Sequence, residues 1–360
     1  MSKRIGVVTG GGDCPGLNAV IRAVAKASAR RGWECIGVLG GYEGLVEPQR
    51  TIPLDHRTLS GLLPRGGTIL GSASRGKFSA KVGHGESRAL PKELLEGAKQ
   101  GMDGLGLFAL VSIGGDGSLS IAQQLFEHGI PVVGVPKTID NDLEGTLFTF
   151  GFDSAVACAT DALDRLHTTA ESHNRVMVLE VMGRYAGWIA LFAGVAGGAD
   201  VILIPEIPFC YESVCNKIQE REKLGKKFTI VIVAEGAREK DGTFVTSSAH
   251  TKTGEARLGG IGAKVSAQIE ECTGKESRAC VLGHLQRGGS PTTFDRALCS
   301  IFGATAVELV AAGEFGKMVA FTGQQVDSIK ISDAVGKLKT VNPNGNLLRT
   351  ARALGICFGD

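Results

Sequence analysis

The chain has 360 residues, of which 43% are hydrophobic and 21% charged. At about 100–200 residues per domain, this length predicts two domains. The 39 lysine and arginine residues nearly balance the 37 aspartate and glutamate residues, so the formal net charge is +2. This balance argues against nucleic acid or a membrane surface as a partner, and any basic site must be local. The longest uncharged stretch, 185–199, is shorter than the ~20 residues of a membrane span and predicts a buried helix.

Cysteine usage bears on the compartment. The nine cysteines include no CxxC pair, and the apolar run after Lys3 and Arg4 is too short for the core of a signal peptide. We therefore expect reduced thiols and a cytoplasmic protein.

Apolar runs followed by glycine-rich turns and helical patterns recur along the chain. The predicted strands are 5–8, 35–39, 110–113, 132–135, 176–181, 201–204, 229–234 and 280–282. Strands that are apolar throughout and alternate with helices are typical of parallel sheets covered on both faces. We predict an α/β protein with two Rossmann-like, three-layer α/β/α lobes, mainly parallel sheets and a cleft between the lobes. Ligands should gather at the carboxyl ends of the strands.

The first glycine-rich turn, 10–16, fits neither of two common phosphate loops. A GxGxxG motif would need glycine where Pro15 stands, and a Walker A loop would need lysine where Leu17 stands. Pro15 suits the first turn of the following helix. The glycines allow backbone N–H groups to approach an anion at a helix N-terminus, but a tight structural turn explains them equally well.

Two further turns carry carboxylates. Asp116, within 114–118, could hold Mg²⁺ beside phosphates, or it could simply cap the next helix. Asp140 and Asp142 follow an apolar strand in the segment 137–142. One could accept a proton from an attacking alcohol while the other directs a metal ion, as phosphoryl transfer requires. The alternative is a polar loop without a catalytic role.

Cationic side chains flank several strands. Arg184 and Arg287 follow apolar strands beside glycines, a position suited to bidentate phosphate binding. Arg175 and Arg278 stand just before strands. His284 is either a phosphate ligand or a structural histidine.

Together these motifs resemble the phosphofructokinase family. The segments that carry the resemblance run in the family's order from residue 5 to about 310: 10–22 (GGGDCPGLNAVIR), 65–72 (RGGTILGS), 113–118 (IGGDGS), 136–143 (PKTIDNDL), 149–155 (TFGFDSA), 175–188 (RVMVLEVMGRYAGW), 201–206 (VILIPE) and 281–296 (VLGHLQRGGSPTTFDR).

The resemblance implies transfer of a phosphoryl group to the 1-hydroxyl of fructose 6-phosphate. Asp140 would be the general base, and Asp116 and Asp142 would bind Mg²⁺ and the transferring group. Thr138 and Arg184 would hold that group in its transition state, since positioning and charge neutralisation supply most of the rate.

The remaining roles that the resemblance implies are grouped by ligand. Fructose 6-phosphate would contact Thr138, Asp140, Arg175, Met182, Gly183, Arg184, Glu235, Arg278, His284 and Arg287. The phosphoryl donor would contact Gly12, Tyr42, Arg75, Asp116, Gly117 and Ser118. The donor lobe would be 1–150 plus about 286–336, and the sugar lobe about 151–285 plus about 337–360. Arg175 and Arg278 would come from a neighbouring subunit of a homotetramer or homodimer.

The identity of the phosphoryl donor depends on two residues. Family members that use ATP generally have glycine at the position of Gly117, because a carboxylate there would obstruct the α-phosphate. Lys137, which we also count among the catalytic residues, occurs in pyrophosphate users and in some ATP users. We expect ATP, with pyrophosphate as the alternative.

Other functions fit less well. A kinase of the NAD-kinase or lipid-kinase type would not explain 136–143 or 283–289, and a dehydrogenase lacks its GxGxxG. A regulatory subunit that binds sugar phosphate without turnover would not need Asp140.

Overall fold

The computed structural model describes residues 3–47, 50–73, 76–78, 88–248 and 257–360. The chain forms two compact units. Unit 1 comprises residues 1–138, 143–154 and 287–338, and unit 2 comprises 139–142, 155–286 and 339–360.

Strands and helices alternate along most of the chain. The strands are β1 Arg4–Thr9, β2 Glu34–Val38, β3 Thr51–Pro53, β4 Leu107–Gly114, β5 Val132–Pro136, β6 Val176–Val181, β7 Val201–Leu203, β8 Thr229–Ala234, β9 Thr246–Ser248, β10 Arg257–Leu258, β11 Ser277–Val281, β12 Lys317–Phe321 and β13 Val326–Lys330. The helices are α1 Leu17–Arg30, α2 Glu43–Val46, α3 Lys92–Gly104, α4 Asp116–Glu127, α5 Phe152–His173, α6 Trp188–Ala196, α7 Tyr211–Lys223, α8 Ile261–Thr273, α9 Thr293–Ala312, α10 Ile331–Ala334 and α11 Asn346–Ala353, with a 3₁₀ helix at Gly283–Arg287.

Unit 1 is built on a mainly parallel sheet. Its described strands follow the order β13-β12-β5-β4-β1-β2-β3, and only the outer pairs β12–β13 and β2–β3 are antiparallel. The central strands β1, β4 and β5 are apolar and almost wholly buried, because helices such as α1 and α9 cover the sheet.

Unit 2 contains a parallel sheet in the order β11-β6-β8-β7, together with the antiparallel pair β9–β10. The prediction of an α/β fold with mainly parallel sheets is confirmed. The stretch 185–199 contains α6, whose residues Ile189 to Leu191 are buried as predicted. Among the described residues, no helix has both the length and the apolar character that a bilayer span needs.

Two expectations from the sequence are wrong in detail. Pro15 lies before α1 rather than in its first turn, because Gly16 takes the N-cap position with φ +111°, a conformation that favours glycine. The thiols are not all reduced: Cys215 of α7 and Cys272 of α8 form a disulfide, with their Cα atoms 6.4 Å apart. The sequence did not predict this disulfide because 57 residues separate the two cysteines and only the packing of α7 against α8 brings them together.

Candidate active site

In unit 1, the loop 10–16 joins β1 to α1 at the carboxyl edge of the sheet. The N–H of Gly10 donates to the carbonyl of Ile113 at 2.9 Å, which ties the loop to the end of β4. The Ser72 hydroxyl donates to the carbonyl of Gly11. A pocket lined by Gly11, Gly12, Asp13, Thr68 and Ser72 lies beside the loop. The predicted anion loop therefore borders a polar recess.

Two cationic side chains hold this loop by donating to its backbone carbonyl groups. The Lys137 ammonium donates to the carbonyl of Gly12, and Nη1 of Arg287 donates to the carbonyl of Asp13 at 3.1 Å. Because a trans peptide points its N–H away from its carbonyl, the N–H groups of Asp13 and Cys14 are directed away from these cations. Lys137 thus contacts the loop 10–16, and so does Arg287, which the resemblance assigned to the sugar phosphate.

The second glycine-rich turn lies at the start of α4. Gly115 occupies the N-cap and Asp116 is the first helical residue, so the alternative that Asp116 caps the helix is wrong. Instead, Oδ1 of Asp116 accepts the N–H of Gly336 at 2.8 Å. The other carboxylate oxygen accepts no hydrogen bond from the described residues and is available to a ligand.

Tyr42 supports the same helix start. Its ring is buried, and its hydroxyl donates to the carbonyl of Ser118 at 2.7 Å and also bonds the hydroxyl of Ser112. Burial raises the pKa of Tyr42, so its hydroxyl keeps its proton at neutral pH. Gly117 lies between Asp116 and Ser118 in the first turn of α4. Arg75, also predicted on the donor side, lies outside the described residues.

Close backbone contact between the glycine pairs 66–67 and 288–289 explains why residue 66 is glycine. A Cβ at Gly66 would lie 2.1 Å from the carbonyl oxygen of Gly289, so a side chain there cannot fit. The buried side chain of Asn18 holds the first pair by donating to the carbonyl of Gly66 at 3.0 Å and accepting the N–H of Ile69 at 2.9 Å. Nothing in the sequence pattern marks Asn18 for this role.

In unit 2, the segment 139–142 is held by a residue that the sequence analysis missed. Nζ of Lys339 donates to Oδ1 of Asn141 at 3.0 Å, and the N–H of Lys339 donates to the carbonyl of Asp142 at 3.0 Å. The Trp188 indole donates to the carbonyl of Lys339 at 2.9 Å. The segment is therefore fixed at Asn141, which adopts φ +50°, and at Asp142. Asp140, within it, is only 5% exposed.

Arg184 and Glu235 follow the neighbouring strands β6 and β8 at their carboxyl ends. Oε1 of Glu235 accepts the N–H of Arg184 at 3.2 Å. Burial, and next the negative charge of Asp140, raise the pKa of Glu235 to about 7. Asp140 therefore lies close enough to Glu235 to shift its pKa, and Glu235 bonds Arg184, as expected for residues that act on one substrate. Met182 and Gly183 lead from β6 into the same turn, and Gly183 has φ +139°.

The predicted phosphate ligands of unit 2 fall at opposite ends of its sheet. Arg175 precedes β6, and Arg278 is the second residue of the adjacent strand β11. His284 lies beyond the carboxyl end of β11 in the 3₁₀ helix, and its side chain is exposed. β11 pairs with β6 along its whole length, and a strand of five residues spans about 17 Å. Arg175 and His284 of one chain therefore cannot hold the same phosphate.

The comparisons with known proteins agree with this geometry. The family model described as Phosphofructokinase matches residues 4–310. The chain is 53% identical over 358 residues to the ATP-dependent 6-phosphofructokinase of Chloroflexus aurantiacus, covering 99% of this chain and 98% of that protein. It is 49% identical to the pyrophosphate–fructose 6-phosphate 1-phosphotransferase of Streptomyces coelicolor, covering 99% of this chain and 100% of that protein.

Among solved structures, the chain is similar to the T-state phosphofructokinase of Pichia pastoris. The TM-score is 0.81 at 31% identity, and the match covers 93% of this chain and 35% of that longer chain. The resemblance inferred from the sequence motifs is therefore confirmed. This chain belongs to the phosphofructokinase family.

Proposed function

We propose that this protein is an ATP-dependent 6-phosphofructokinase of glycolysis. It transfers the γ-phosphoryl group of ATP to the 1-hydroxyl of fructose 6-phosphate and releases fructose 1,6-bisphosphate. The observation that carries this proposal is the grouping of Asp140, Arg184 and Glu235 in unit 2. The relative from Chloroflexus aurantiacus, named as an ATP-dependent 6-phosphofructokinase, supports it across nearly the whole chain.

Asp140 is the proposed general base. A carboxylate accepts the proton of the 1-hydroxyl as that oxygen attacks phosphorus, so the hydroxyl becomes a better nucleophile. Arg184 and Thr138 donate to the transferring group as its charge spreads over the equatorial oxygens. Met182, Gly183 and Glu235 contact the sugar. His284 binds its 6-phosphate together with Arg287, whose Nη1 also donates to the carbonyl of Asp13. Arg175 and Arg278 of another subunit complete that phosphate site.

Unit 1 is proposed as the donor-binding lobe and unit 2 as the sugar-binding lobe. The loop from Gly12 and the start of α4, including Asp116, Gly117 and Ser118, bind the nucleotide phosphates through backbone N–H groups. Tyr42 holds the start of α4 through its bond to the carbonyl of Ser118. Arg75 is proposed as a further cation that binds the phosphoryl donor. Lys137 acts by holding the loop at the carbonyl of Gly12.

Mg²⁺ is the proposed cofactor, and the residues present fit it. This ion requires oxygen ligands and is usually bound by one or two carboxylates, with phosphates and water completing its shell. Asp116, with one oxygen available, and Asp142 supply such ligands. When bound, Mg²⁺ neutralises the charge that develops on the phosphoryl oxygens.

The placement of the proposed 6-phosphate ligands supports a shared site in a homotetramer or homodimer. Arg175 and Arg278 lie at the amino ends of β6 and β11, whereas His284 lies beyond the carboxyl end of β11. A single chain therefore divides the proposed 6-phosphate ligands between two distant places, and a second subunit is needed to bring them together.

Pyrophosphate is the second candidate donor. The Streptomyces coelicolor relative bears a pyrophosphate-dependent name, and Lys137, common in pyrophosphate users, contacts the donor loop directly. We favour ATP because Gly117 carries no carboxylate to repel the α-phosphate of a nucleotide.

The proposed glycolytic role implies a cytoplasmic location. The Cys215–Cys272 disulfide is an observation against that location, because cytosolic disulfides are usually transient. Thiol labelling of the protein in intact cells measures the state of this pair directly.

The deciding experiment measures fructose 1,6-bisphosphate formation by purified protein with Mg²⁺ and fructose 6-phosphate, supplying ATP and pyrophosphate separately. We expect turnover with ATP. Turnover with pyrophosphate alone would assign the enzyme to the alternative donor, and no turnover with either, despite binding of fructose 6-phosphate, would indicate a regulatory subunit.

A further inference from the structure

One carboxylate joins the two arginines at the amino edge of the unit 2 sheet. Oε2 of Glu276 accepts Nε of Arg175 at 2.6 Å, and Oε1 accepts Nη2 of Arg278 at 2.5 Å. Each oxygen therefore serves a different guanidinium. The side chains are 38%, 30% and 54% exposed for Glu276, Arg175 and Arg278, so all three remain accessible from one surface.

The sheet register explains why the three side chains meet. Val176 pairs with Ser277 in the parallel strands β6 and β11, which places Arg175 opposite Glu276. Glu276 and Arg278 are two residues apart, and side chains at this spacing project to the same face of a strand. The order across this face is therefore Arg278, Glu276 and Arg175.

The backbone beneath Glu276 is firmly held. Its carbonyl accepts the N–H of Val176 at 3.0 Å, and the next residue, Ser277, is buried and bonded through its hydroxyl to Ser266 at 2.9 Å. The hydrogen bond from Arg175 lowers the pKa of Glu276, so the carboxylate is ionised at neutral pH. A fixed, charged acceptor thus stands between the side chains of Arg175 and Arg278, and Nη1 of Arg278 also donates to the carbonyl of Ser277 at 3.0 Å.

The contacts also leave binding groups available. Glu276 engages Arg175 only through Nε, so no hydrogen bond within the described residues occupies the two terminal nitrogens of Arg175. These two nitrogens form the planar fork that binds phosphate oxygens in a bidentate manner. The formal charge of the three side chains is +1, from two cations and one anion, which still attracts a phosphate dianion.

We propose that Glu276 is a positioning residue for fructose 6-phosphate binding: it orders Arg175 and Arg278 before the substrate phosphate arrives. This inference rests on the proposed function and adds a residue to its phosphate site. Ordering a long side chain before binding removes an entropy loss that the ligand would otherwise have to offset. The carboxylate therefore improves substrate affinity although its own charge repels phosphate.

The test compares Glu276→Ala and Glu276→Gln with the wild-type enzyme. In Glu276→Ala the two arginines are no longer held in place before the substrate binds. The KM for fructose 6-phosphate should therefore rise roughly 5- to 50-fold. Glu276→Gln keeps the shape and one acceptor oxygen and should give a smaller rise. In both variants, kcat and the KM for ATP should stay within about twofold, since both arginines are proposed to bind the sugar phosphate and not the phosphoryl donor.

Glu222→Ala is the matched control. It removes an exposed carboxylate that pairs with Lys275, the residue next to Glu276, at 3.0 Å, and should leave the KM unchanged. Calorimetric binding of fructose 6-phosphate without ATP gives a readout that does not depend on turnover, and an unchanged Tm shows that each variant folds.

The direction of the change decides between positioning and simple charge balance. If Glu276 only offsets positive charge, Glu276→Gln should bind the phosphate more tightly and its KM should fall, which would overturn the proposal. An unchanged KM in both variants would also overturn it. In either case wild-type activity would leave the proposed function standing, whereas an inactive wild-type enzyme would reject that function.

Discussion

Glu235→Gln gives a quantitative test of the electrostatics around Asp140. Burial and the charge of Asp140 raise the pKa of Glu235 from 4.5 to about 7. A difference of this size corresponds to about 3 kcal/mol between the protonated and ionised forms. Ionised Glu235 therefore destabilises the folded protein, and a neutral replacement removes this effect. Glutamine also keeps an oxygen that can accept the N–H of Arg184.

The sign of the pH dependence follows from proton binding. Between pH 4.5 and 7, folded protein holds a proton on Glu235 that unfolded chains have released. The free energy of unfolding therefore falls as the pH rises through this range. Glutamine does not titrate, so Glu235→Gln lacks this contribution. Its advantage over the wild type should be about 3 kcal/mol at pH 8 and roughly 1 kcal/mol at pH 5.

Urea unfolding of both proteins at pH 5 and pH 8 measures this difference. Glu271→Gln, a change at an exposed glutamate of α8 in the same unit, is the control for loss of a carboxylate elsewhere. An advantage of equal size at the two pH values would refute the assigned electrostatics. A variant less stable than the wild type at pH 8 would do the same.

Three further substitutions test the proposed site. Asp140→Ser should lower kcat roughly 10²- to 10⁴-fold without unfolding the protein, and near-normal turnover would reject the general base. Gly117→Asp should reduce kcat/KM with ATP much more than with pyrophosphate, whereas equal losses would contradict the repulsion argument. In Gly236→Ala, the new Cβ would lie 1.8 Å from the carbonyl oxygen of Arg184. We expect the unfolding free energy to drop by about 1–3 kcal/mol and kcat to fall, and unchanged values of both would show that this turn can adapt.

Apolar runs made most of the fold predictable. The predicted strands 176–181 and 229–234 have the bounds found for β6 and β8, because every residue of these buried strands is apolar or lies between apolar neighbours. β13, Val326–Lys330, escaped prediction because it is an antiparallel edge strand with partly exposed, polar residues. Such a strand depends on its neighbour β12 more than on its own composition.

The site was predictable where its residues follow strands. Arg184 could be found because it follows an apolar strand beside a glycine, and Asp140 because two carboxylates follow another apolar strand. Glu235 was assigned only through the family resemblance. Lys339 could not be found, because its contact with Asn141 joins residues 198 positions apart and lies in a segment without a recognisable motif. Glu276 was missed for a similar reason: only the register of β6 with β11 places it between two arginines.

The interleaving of the two units has a consequence for how the protein is made. Each unit consists of three separate pieces of chain, so the polypeptide passes between them five times. β12 lies beside β5 in the unit 1 sheet but begins 181 residues after β5 ends. Synthesis at about 5–20 residues per second would leave the edge of β5 uncovered for roughly 10–40 s. A newly made chain is therefore most exposed to aggregation and to chaperones before residues 317–321 emerge from the ribosome.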